Sequence, residues 1–199
     1  MKKTLVVLFF TVAMVILLAG CASAPTAEVT ATNSAIAEAQ TDDVQTYAPD
    51  SLKAAEDELN KATAEIQTQE GKFFLSRDYK QATEMLKSAK DLAEKAKTDA
   101  ETNKMQAKSD AELLLASLPQ TLDEAEKTLA RAPRGKDTRA DIEAMQDDLR
   151  VARESIDEAN TAMSNEKYSD ALAKATSAKE KATAVIDQVT AAQEKARGR

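Results

Sequence analysis

The sequence contains no histidine and no tryptophan, and its 199 residues include a single cysteine. Imidazole and thiolate groups are the usual protein ligands of zinc and of other transition metals, so we expect neither a metal site nor a cofactor. One cysteine also cannot form a disulfide within the chain. The fold must therefore depend on noncovalent packing.

Positive charge is scarce as well, because 27 lysines and arginines face 34 aspartates and glutamates, and the formal net charge is −7. Removal of residues 1–20 would make the chain more acidic, since Lys2 and Lys3 lie in that stretch. Proteins bind nucleic acid mainly through cationic contacts with phosphate. We therefore expect no nucleic-acid partner.

Aromatic residues make up only 4% of the chain, and beyond residue 20 they are Tyr47, Phe73, Phe74, Tyr79 and Tyr168. Alanine supplies much of the remaining apolar content. It buries little area but is the best helix former, so this composition favours long, slim, closely packed helices over a thick core. We predict an all-α, elongated fold.

The first 20 residues have the parts of a secretory signal: Lys2 and Lys3, an apolar run from Leu5 to Leu18, and then small residues. The apolar run has 14 residues, fewer than the roughly 20 that a helix needs to span a bilayer. We therefore predict a cleaved signal peptide over residues 1–20.

The segment Leu18-Ala19-Gly20-Cys21 resembles the lipobox of bacterial lipoproteins. The resemblance implies diacylglycerol on the Cys21 sulfur, cleavage before Cys21 and acylation of the new amine, which together anchor a chain to a bilayer. An aspartate directly after the cysteine resembles the inner-membrane retention signal of such lipoproteins, and this sequence has Ala22 at that position. We therefore expect an outer-membrane anchor facing the periplasm. The alternative is an ordinary signal peptide cut after Ala24, although Pro25 would then follow the cleaved bond.

Residues 21–32 are rich in alanine, threonine, serine and proline and show no apolar period, which indicates a flexible lipidated tether. Asn33 or Ser34 then has a side chain suited to cap a short helix that ends near Tyr47. Pro49 suits the first turn of the next helix, because its missing N–H costs nothing there.

From residue 52 onward, apolar residues recur at spacings of three and four, the period of one face of an α-helix. The first series starts at Leu52 and includes Phe73. The second runs from Tyr79 to Leu118, where Pro119 is expected to end the helix. The remaining elements are predicted as a short helix over 121–129 with a capping box at Thr121 and Glu124, a loop over 132–135, and helices over 142–163 and 168–196.

The two halves of the chain repeat each other. The helix that starts at Leu52 matches the helix over 142–163 at an offset of 90 residues: Leu52, Ala55 and Leu59 correspond to Ile142, Met145 and Leu149. Beyond the turn that follows each of these helices the offset is 89, and Tyr79 and Ala82 correspond to Tyr168 and Ala171. A one-residue difference at a turn is expected of two copies of a helical hairpin. We predict hairpins over 33–118 and 119–199 that pack as an antiparallel, coiled-coil-like bundle.

Tyr47-Ala48-Pro49, the periodic helix over 52–66, and the segment over 78–82 together resemble a DUF4398-type helical domain of bacterial envelope lipoproteins. The similarity covers about residues 33–108, and the second half resembles a weaker copy. The family carries no established activity or catalytic residues. The resemblance therefore implies an envelope setting and a helical fold.

Two groups of residues are candidate partner contacts. Phe73 and Phe74 are adjacent, and adjacent helical residues point about 100° apart, so we expect one of them to be exposed and able to contact a partner. The densest basic cluster fits anionic headgroups or an acidic protein, with a solvated loop as the alternative, and consists of Arg131, Arg134, Lys136 and Arg139.

Other conspicuous residues have structural interpretations. Tyr79 and Tyr168 begin equivalent helices, and we interpret them as aromatic residues that close the hairpin ends, with a ligand platform as the alternative. The acid pairs Asp42-Asp43 and Asp147-Asp148 do not predict catalysis, because neighbouring carboxylates on a helix diverge and a catalytic site also needs a pocket and an oriented base. We predict that the chain is not an enzyme.

The sequence thus predicts a non-enzymatic, lipid-anchored adaptor or structural protein of the cell envelope, which binds another envelope protein or self-associates. Two alternatives stay open. One is a holdase-like chaperone or carrier that binds apolar clients between its hairpins, and the other is a cell-wall-binding spacer lipoprotein.

Overall fold

The computed structural model describes residues 23–135 and 138–197. In these ranges the chain forms six α-helices and contains no strand, so the all-α prediction is confirmed. The elements are α1 (Thr26–Ala39), α2 (Asp42–Tyr47), α3 (Pro49–Glu70), α4 (Lys80–Ala130), α5 (Arg139–Ser164) and α6 (Tyr168–Arg197), with a 3₁₀ turn at Phe74–Ser76. The predicted signal peptide and Cys21 lie outside the described residues.

The described residues form two compact units, unit 1 up to Glu101 and unit 2 from Thr102 on. Unit 1 contains α1, α2, α3 and the first part of α4, and unit 2 contains the rest of α4, α5 and α6. The sequence placed the division between hairpins at residues 118 and 119, whereas the structural division falls inside α4. Each unit therefore has a further helical segment beside its hairpin.

The core of unit 1 is built mostly from alanine: Ala35, Ile36, Ala39, Val44, Ala48, Leu52, Ala55, Ala93, Ala96 and Ala100. Side chains this small let helix backbones approach closely. The buried hydroxyl of Thr32 shows how close they come, because it donates to the carbonyl oxygen of Glu28 at 2.8 Å and to that of Leu86, on α4, at 3.2 Å. Packing and the hydrogen bond from Thr32 to Leu86 thus join α1 to α4.

The core of unit 2 has larger side chains. It includes Leu118, Leu122, Leu129, Met145, Leu149, Val185 and Val189, with alanines at most other positions. Full burial of a leucine or valine side chain contributes about 1.5–3 kcal/mol, so these residues supply much of the stability of the unit. α5 and α6 confirm the two helices predicted from residue 142 onward.

Polar contacts join the paired helices of each unit. In unit 1, the Ser51 hydroxyl donates to Asp99 at 2.6 Å, and Lys95 Nζ lies 2.5 Å from the same carboxylate. These two hydrogen bonds, that of Lys95 first, lower the pKa of Asp99 below its ordinary value. In unit 2 the links are two ion pairs, Lys181–Asp148 at 2.9 Å and Lys174–Glu158 at 2.6 Å.

The internal repeat predicted from the sequence is present in the burial pattern. Six buried positions of α4 and α6 match at an offset of 89: Ala82, Leu86, Ala89, Ala93, Ala96 and Ala100 against Ala171, Ala175, Ala178, Ala182, Val185 and Val189. A third helix also takes part, at an offset of 90, since Thr32, Ala35 and Ala39 of α1 match Leu122, Ala125 and Leu129 of α4. Each unit is one copy of a three-helix repeat.

The predicted tether is wrong from residue 26 onward. Residues 26–32 form the beginning of α1, and the predicted cap Asn33 lies inside that helix, where its side-chain amide donates to the Val29 carbonyl at 2.8 Å. The stretch shows no apolar period because its buried residues are small. The same small side chains let α1 pack closely against its neighbours.

Pro119 does not end a helix, contrary to the prediction, because α4 continues through it to Ala130. The predicted capping box is also wrong, since the Thr121 hydroxyl donates to the Ser117 carbonyl at 3.3 Å within the helix. A proline costs an intrahelical hydrogen bond. The burial of Leu118 and Leu122 in unit 2 offsets that cost and holds the helix together.

Candidate functional site

The connection between α3 and α4, residues 71–79, presents apolar side chains to water. Its centre is the 3₁₀ turn Phe74–Ser76. The side chains of Phe73, Phe74 and Leu75 are 67%, 49% and 66% exposed. We call these three residues the apolar tip.

Hydrogen bonds within the connection hold the apolar tip in place. Arg77 donates from Nε to the Lys72 carbonyl at 3.1 Å and from Nη2 to the Glu70 carbonyl at 2.8 Å. The backbone N–H and the hydroxyl of Ser76 both donate to the Phe73 carbonyl, each at 2.8 Å. A preordered surface loses little conformational entropy on binding, which makes its apolar area effective in a contact.

A second set of hydrogen bonds fixes the base of the connection. The buried side chain of Gln69 accepts from the backbone N–H of Asp78 at 3.0 Å and donates to Glu65 at 2.6 Å. The Asp78 carboxylate in turn accepts from the backbone N–H of Lys80 at 3.0 Å. The end of α3 and the start of α4 are thereby joined by side chains.

The exposure of this pair goes further than the sequence predicted. We expected one of Phe73 and Phe74 to be exposed, and both are, with ring centroids 4.6 Å apart and ring planes at 58°. Phe73 does not continue the apolar face of α3, as the sequence predicted, because α3 ends at Glu70. Leu75 was missed, although three consecutive apolar residues cannot share one helical stripe and this pattern could have indicated it.

The start of α1 lies beside the end of α3. A groove of about 400 Å³ between them is lined by residues of both, among them Ala24, Pro25, Val29, Ile66 and Glu70. The two helices therefore run in opposite directions, and the chain enters unit 1 at the end that carries the apolar tip. The predicted lipidation residue Cys21, outside the described part, precedes Ala24 by three positions.

Arg134 is the member of the predicted basic cluster that lines a groove. It is exposed, and the groove, of about 300 Å³, is lined by Leu129, Ile142 and Leu149 together with Arg153, among others. We call this the basic groove. Arg153 forms an ion pair with Glu126, whereas Arg134 forms none with another described residue.

The other members of the cluster are not brought into this groove. Arg139 forms an ion pair with Glu143 at 2.9 Å, one turn further along α5. Arg131 is exposed, and its carbonyl accepts from Gln193 Nε2 at 3.1 Å. Lys136 lies outside the described residues. Of the predicted cluster, only Arg134 is thus found in the groove, and the sequence did not predict the groove itself.

The two equivalent tyrosines lie at the hairpin ends, as interpreted from the sequence. Tyr79, just before α4, is 5% exposed. Tyr168, at the start of α6, is half-buried, and Lys108 Nζ lies 5.6 Å from its ring centroid. This distance is within the range of a cation–π contact. Burial of Tyr79 agrees with a packing role.

The adjacent acids of α5 diverge, as expected for neighbours on a helix. Asp147 pairs with Arg150 at 2.6 Å, whereas Asp148 pairs with Lys181 of α6. Within residues 23–135 and 138–197, no three His, Cys, Asp or Glu side chains come together as a metal site. No helix in the same part of the chain is long and apolar enough to cross a membrane.

The described residues define a protein of two three-helix units, the first of which carries an apolar tip. Residues 27–111 match the family described as Domain of unknown function (DUF4398). The matched region covers α1 from its second residue, all of α2 and α3, and α4 up to Ala111. No curated protein and no solved structure matches the chain.

Proposed function

We propose that the chain is a non-enzymatic, lipid-anchored adaptor or structural protein of the bacterial cell envelope. Lipid on Cys21 holds it at the outer membrane, facing the periplasm, and its helices contact another envelope protein. The lipobox-like segment that ends at Cys21 supports the anchor. The DUF4398 domain and the second unit supply the helical surfaces for the contact.

The basic groove is the observation that carries the adaptor function. Its lining combines the apolar side chains of Leu129, Ile142 and Leu149 with the exposed Arg134, in a chain whose net charge is −7. A partly apolar groove with an exposed cation fits an acidic partner helix that has apolar residues on one face. Arg134 is the residue that would choose such a partner.

Photocrosslinking in cells tests this contact. A photoreactive residue at position 146, which is exposed and lines the same groove, keeps Arg134 in place and should capture one recurring envelope protein, identified by mass spectrometry. The control is position 160, which is also exposed on unit 2 but lies near the opposite end of α5. Equal capture at both positions would contradict a specific contact at the groove.

A charge reversal provides a second measurement. Arg134→Glu should lower recovery of the captured protein by about tenfold or more, because it places like charges opposite each other, which costs several kcal/mol. Lys179→Glu makes the same charge change at an exposed position of α6 and should leave recovery unchanged. Many unrelated products at position 146 would favour the holdase alternative, and self-adducts alone would favour a structural oligomer. Binding to purified peptidoglycan without a protein product would favour the spacer.

A further inference from the structure

The apolar tip has no equivalent in unit 2. There α5 and α6 are joined by Asn165, Glu166 and Lys167, all exposed and all polar. The two connections occupy the same place in the repeat, so the fold does not require apolar residues at a hairpin end. Phe73, Phe74 and Leu75 are exposed for a reason other than packing.

The position of the apolar tip in unit 1 indicates which surface it contacts. The groove lined by Ala24 and Glu70 puts the entry of the chain at the same end of the unit as the tip. Three residue steps separate Cys21 from Ala24, a reach of at most about 11 Å. A lipid on Cys21 would therefore hold this end of unit 1 at the bilayer surface.

The charges around the apolar tip fit the same surface. Lys72, Arg77 and Lys80 flank it, against the two acids Glu70 and Asp78, so the connection is locally basic in an acidic chain. The Asp78 carboxylate accepts from the backbone of Lys80, and Arg77 is held by two carbonyls of the same connection. Aromatic side chains with neighbouring lysine and arginine are typical of segments that enter the headgroup region of anionic membranes.

The size of the apolar tip favours a bilayer over a protein. A stable protein interface involves about 20–30 residues on each side. Three exposed side chains on one turn offer much less than that. A bilayer, in contrast, accepts a few aromatic and aliphatic side chains at its interface without a matching surface.

We propose that Phe73, Phe74 and Leu75 insert into the interfacial region of the bilayer that holds the Cys21 lipid, as a second membrane contact. The inference rests on the lipid anchor of the proposed function. Two contacts restrict the orientation of unit 1 at the membrane, which one lipid on a short segment does not.

Site-specific labelling of the lipid-anchored full chain tests the inference. Cys21 is the only cysteine, and lipid blocks its sulfur, so one introduced cysteine takes a polarity-sensitive fluorophore selectively. The probe position is Leu75→Cys. The control is Gln45→Cys, exposed on α2, which joins α1 to α3 at the opposite end of unit 1. Both proteins are reconstituted into vesicles of phosphatidylethanolamine and phosphatidylglycerol, and the mass of each chain is measured first.

The expected result differs between the two labels. The label at position 75 should show blue-shifted emission, quenching by lipid-borne quenchers and protection from iodide. The label at position 45 should be quenched by iodide alone. Phe73→Ser together with Phe74→Ser should abolish lipid quenching at position 75 while leaving the lipid mass and the helical circular dichroism unchanged.

The contrary outcomes can be distinguished from one another. A chain that carries lipid but leaves position 75 open to iodide overturns the membrane contact and leaves the anchor standing. Shielding of position 75 from iodide in native membranes, without lipid quenching, means that a protein covers the tip and also overturns the inference. A chain without lipid on Cys21 contradicts the proposed anchor, and the inference fails with it.

Discussion

The two units bury residues at matching positions, but the large side chains lie at different points along the repeat. On α4, unit 1 has Leu86 near the start of the helix and alanine at Ala96 and Ala100. On α6, unit 2 has Ala175 at the position that matches Leu86, and it has valine at the two later positions. Spacing thus specifies the three-helix packing, whereas side-chain size decides where along the repeat the helices are held most strongly.

The largest expected effect comes from removing Leu86, the largest fully buried side chain described in unit 1. Leu86→Ala should lower the free energy of unfolding by about 2–5 kcal/mol, because it deletes a leucine side chain of α4 that is 1% exposed. Hydrogen exchange measured by mass spectrometry should show faster exchange first in peptides of α1 and α3. Ala175→Leu, the reciprocal change, should overpack unit 2 and cost about 1–3 kcal/mol there. Equal exchange in both units for either variant would contradict this account.

Pro119 marks a second difference, since Val29 of α1 occupies the equivalent position of unit 1. Pro119→Ala should stabilise α4 by up to about 3 kcal/mol, because alanine restores an N–H donor and removes the clash of the proline ring. Urea denaturation followed by circular dichroism measures the change. Gln120→Ala, at the next exposed position, should change the free energy of unfolding by less than about 0.5 kcal/mol. A destabilised Pro119→Ala variant would show that α4 needs its proline.

The two hairpin connections differ in where their backbone would favour glycine. Gly71 has φ −69°, and a Cβ there would meet carbonyl oxygens no closer than 3.6 Å, whereas Glu166 has φ 58°. Gly71→Ala should therefore stabilise the protein by about 0.4–1 kcal/mol. Glu166→Gly should relieve a left-handed residue and stabilise by a similar amount, about 0.5–1 kcal/mol. Glu166→Ala is the matched control, and a gain from alanine as large as that from glycine would refute the backbone explanation.

The smallest effect concerns the polar links between the paired helices. The lowered pKa of Asp99 means that its contribution is present above the ordinary aspartate value and is lost as pH falls through its own pKa. The hydrogen bond that Lys174 donates to Glu158 raises the pKa of Lys174, so that contribution is lost as pH rises through the lysine pKa. Lowering the pH therefore weakens the links of Asp99 in unit 1, and raising the pH weakens the link of Lys174 in unit 2.

Carboxyl titration by nuclear magnetic resonance checks this prediction in unit 1. Ser51→Ala should move the pKa of Asp99 back toward its ordinary value, because it removes the second hydrogen bond to the carboxylate. The change should be smaller than that of Lys95→Ala, which removes the first. Ser109→Ala, at an exposed position of α4, should leave the titration of Asp99 unchanged.

Sequence periodicity predicted the helices whose buried positions carry large side chains. Met145, Leu149 and Val185 stand out against charged neighbours, and α5 and α6 were found from that contrast. The first half of α1, residues 26–32, was missed because its buried residue Thr32 does not differ in this way from an irregular alanine-rich stretch. A helix that buries small side chains therefore shows no clear apolar periodicity in its sequence, although those side chains are packed in the core.

The remaining errors come from contacts between residues distant in sequence. Proline ends helices by a local rule, and only the burial of Leu118 and Leu122 in unit 2 shows why α4 continues. The adjacency of Phe73 and Phe74 predicted exposure. Their position beside the entry of the chain, however, follows from the antiparallel packing of α1 on α3, which no short pattern contains.

The continuity of α4 has a consequence for how the protein is degraded. Proteases cleave extended segments, and the boundary between the two copies of the repeat lies inside a helix rather than in a linker. A cut at Glu101 or Thr102 therefore first requires α4 to unwind locally, so the boundary between the two copies resists cleavage for as long as the helix stays intact.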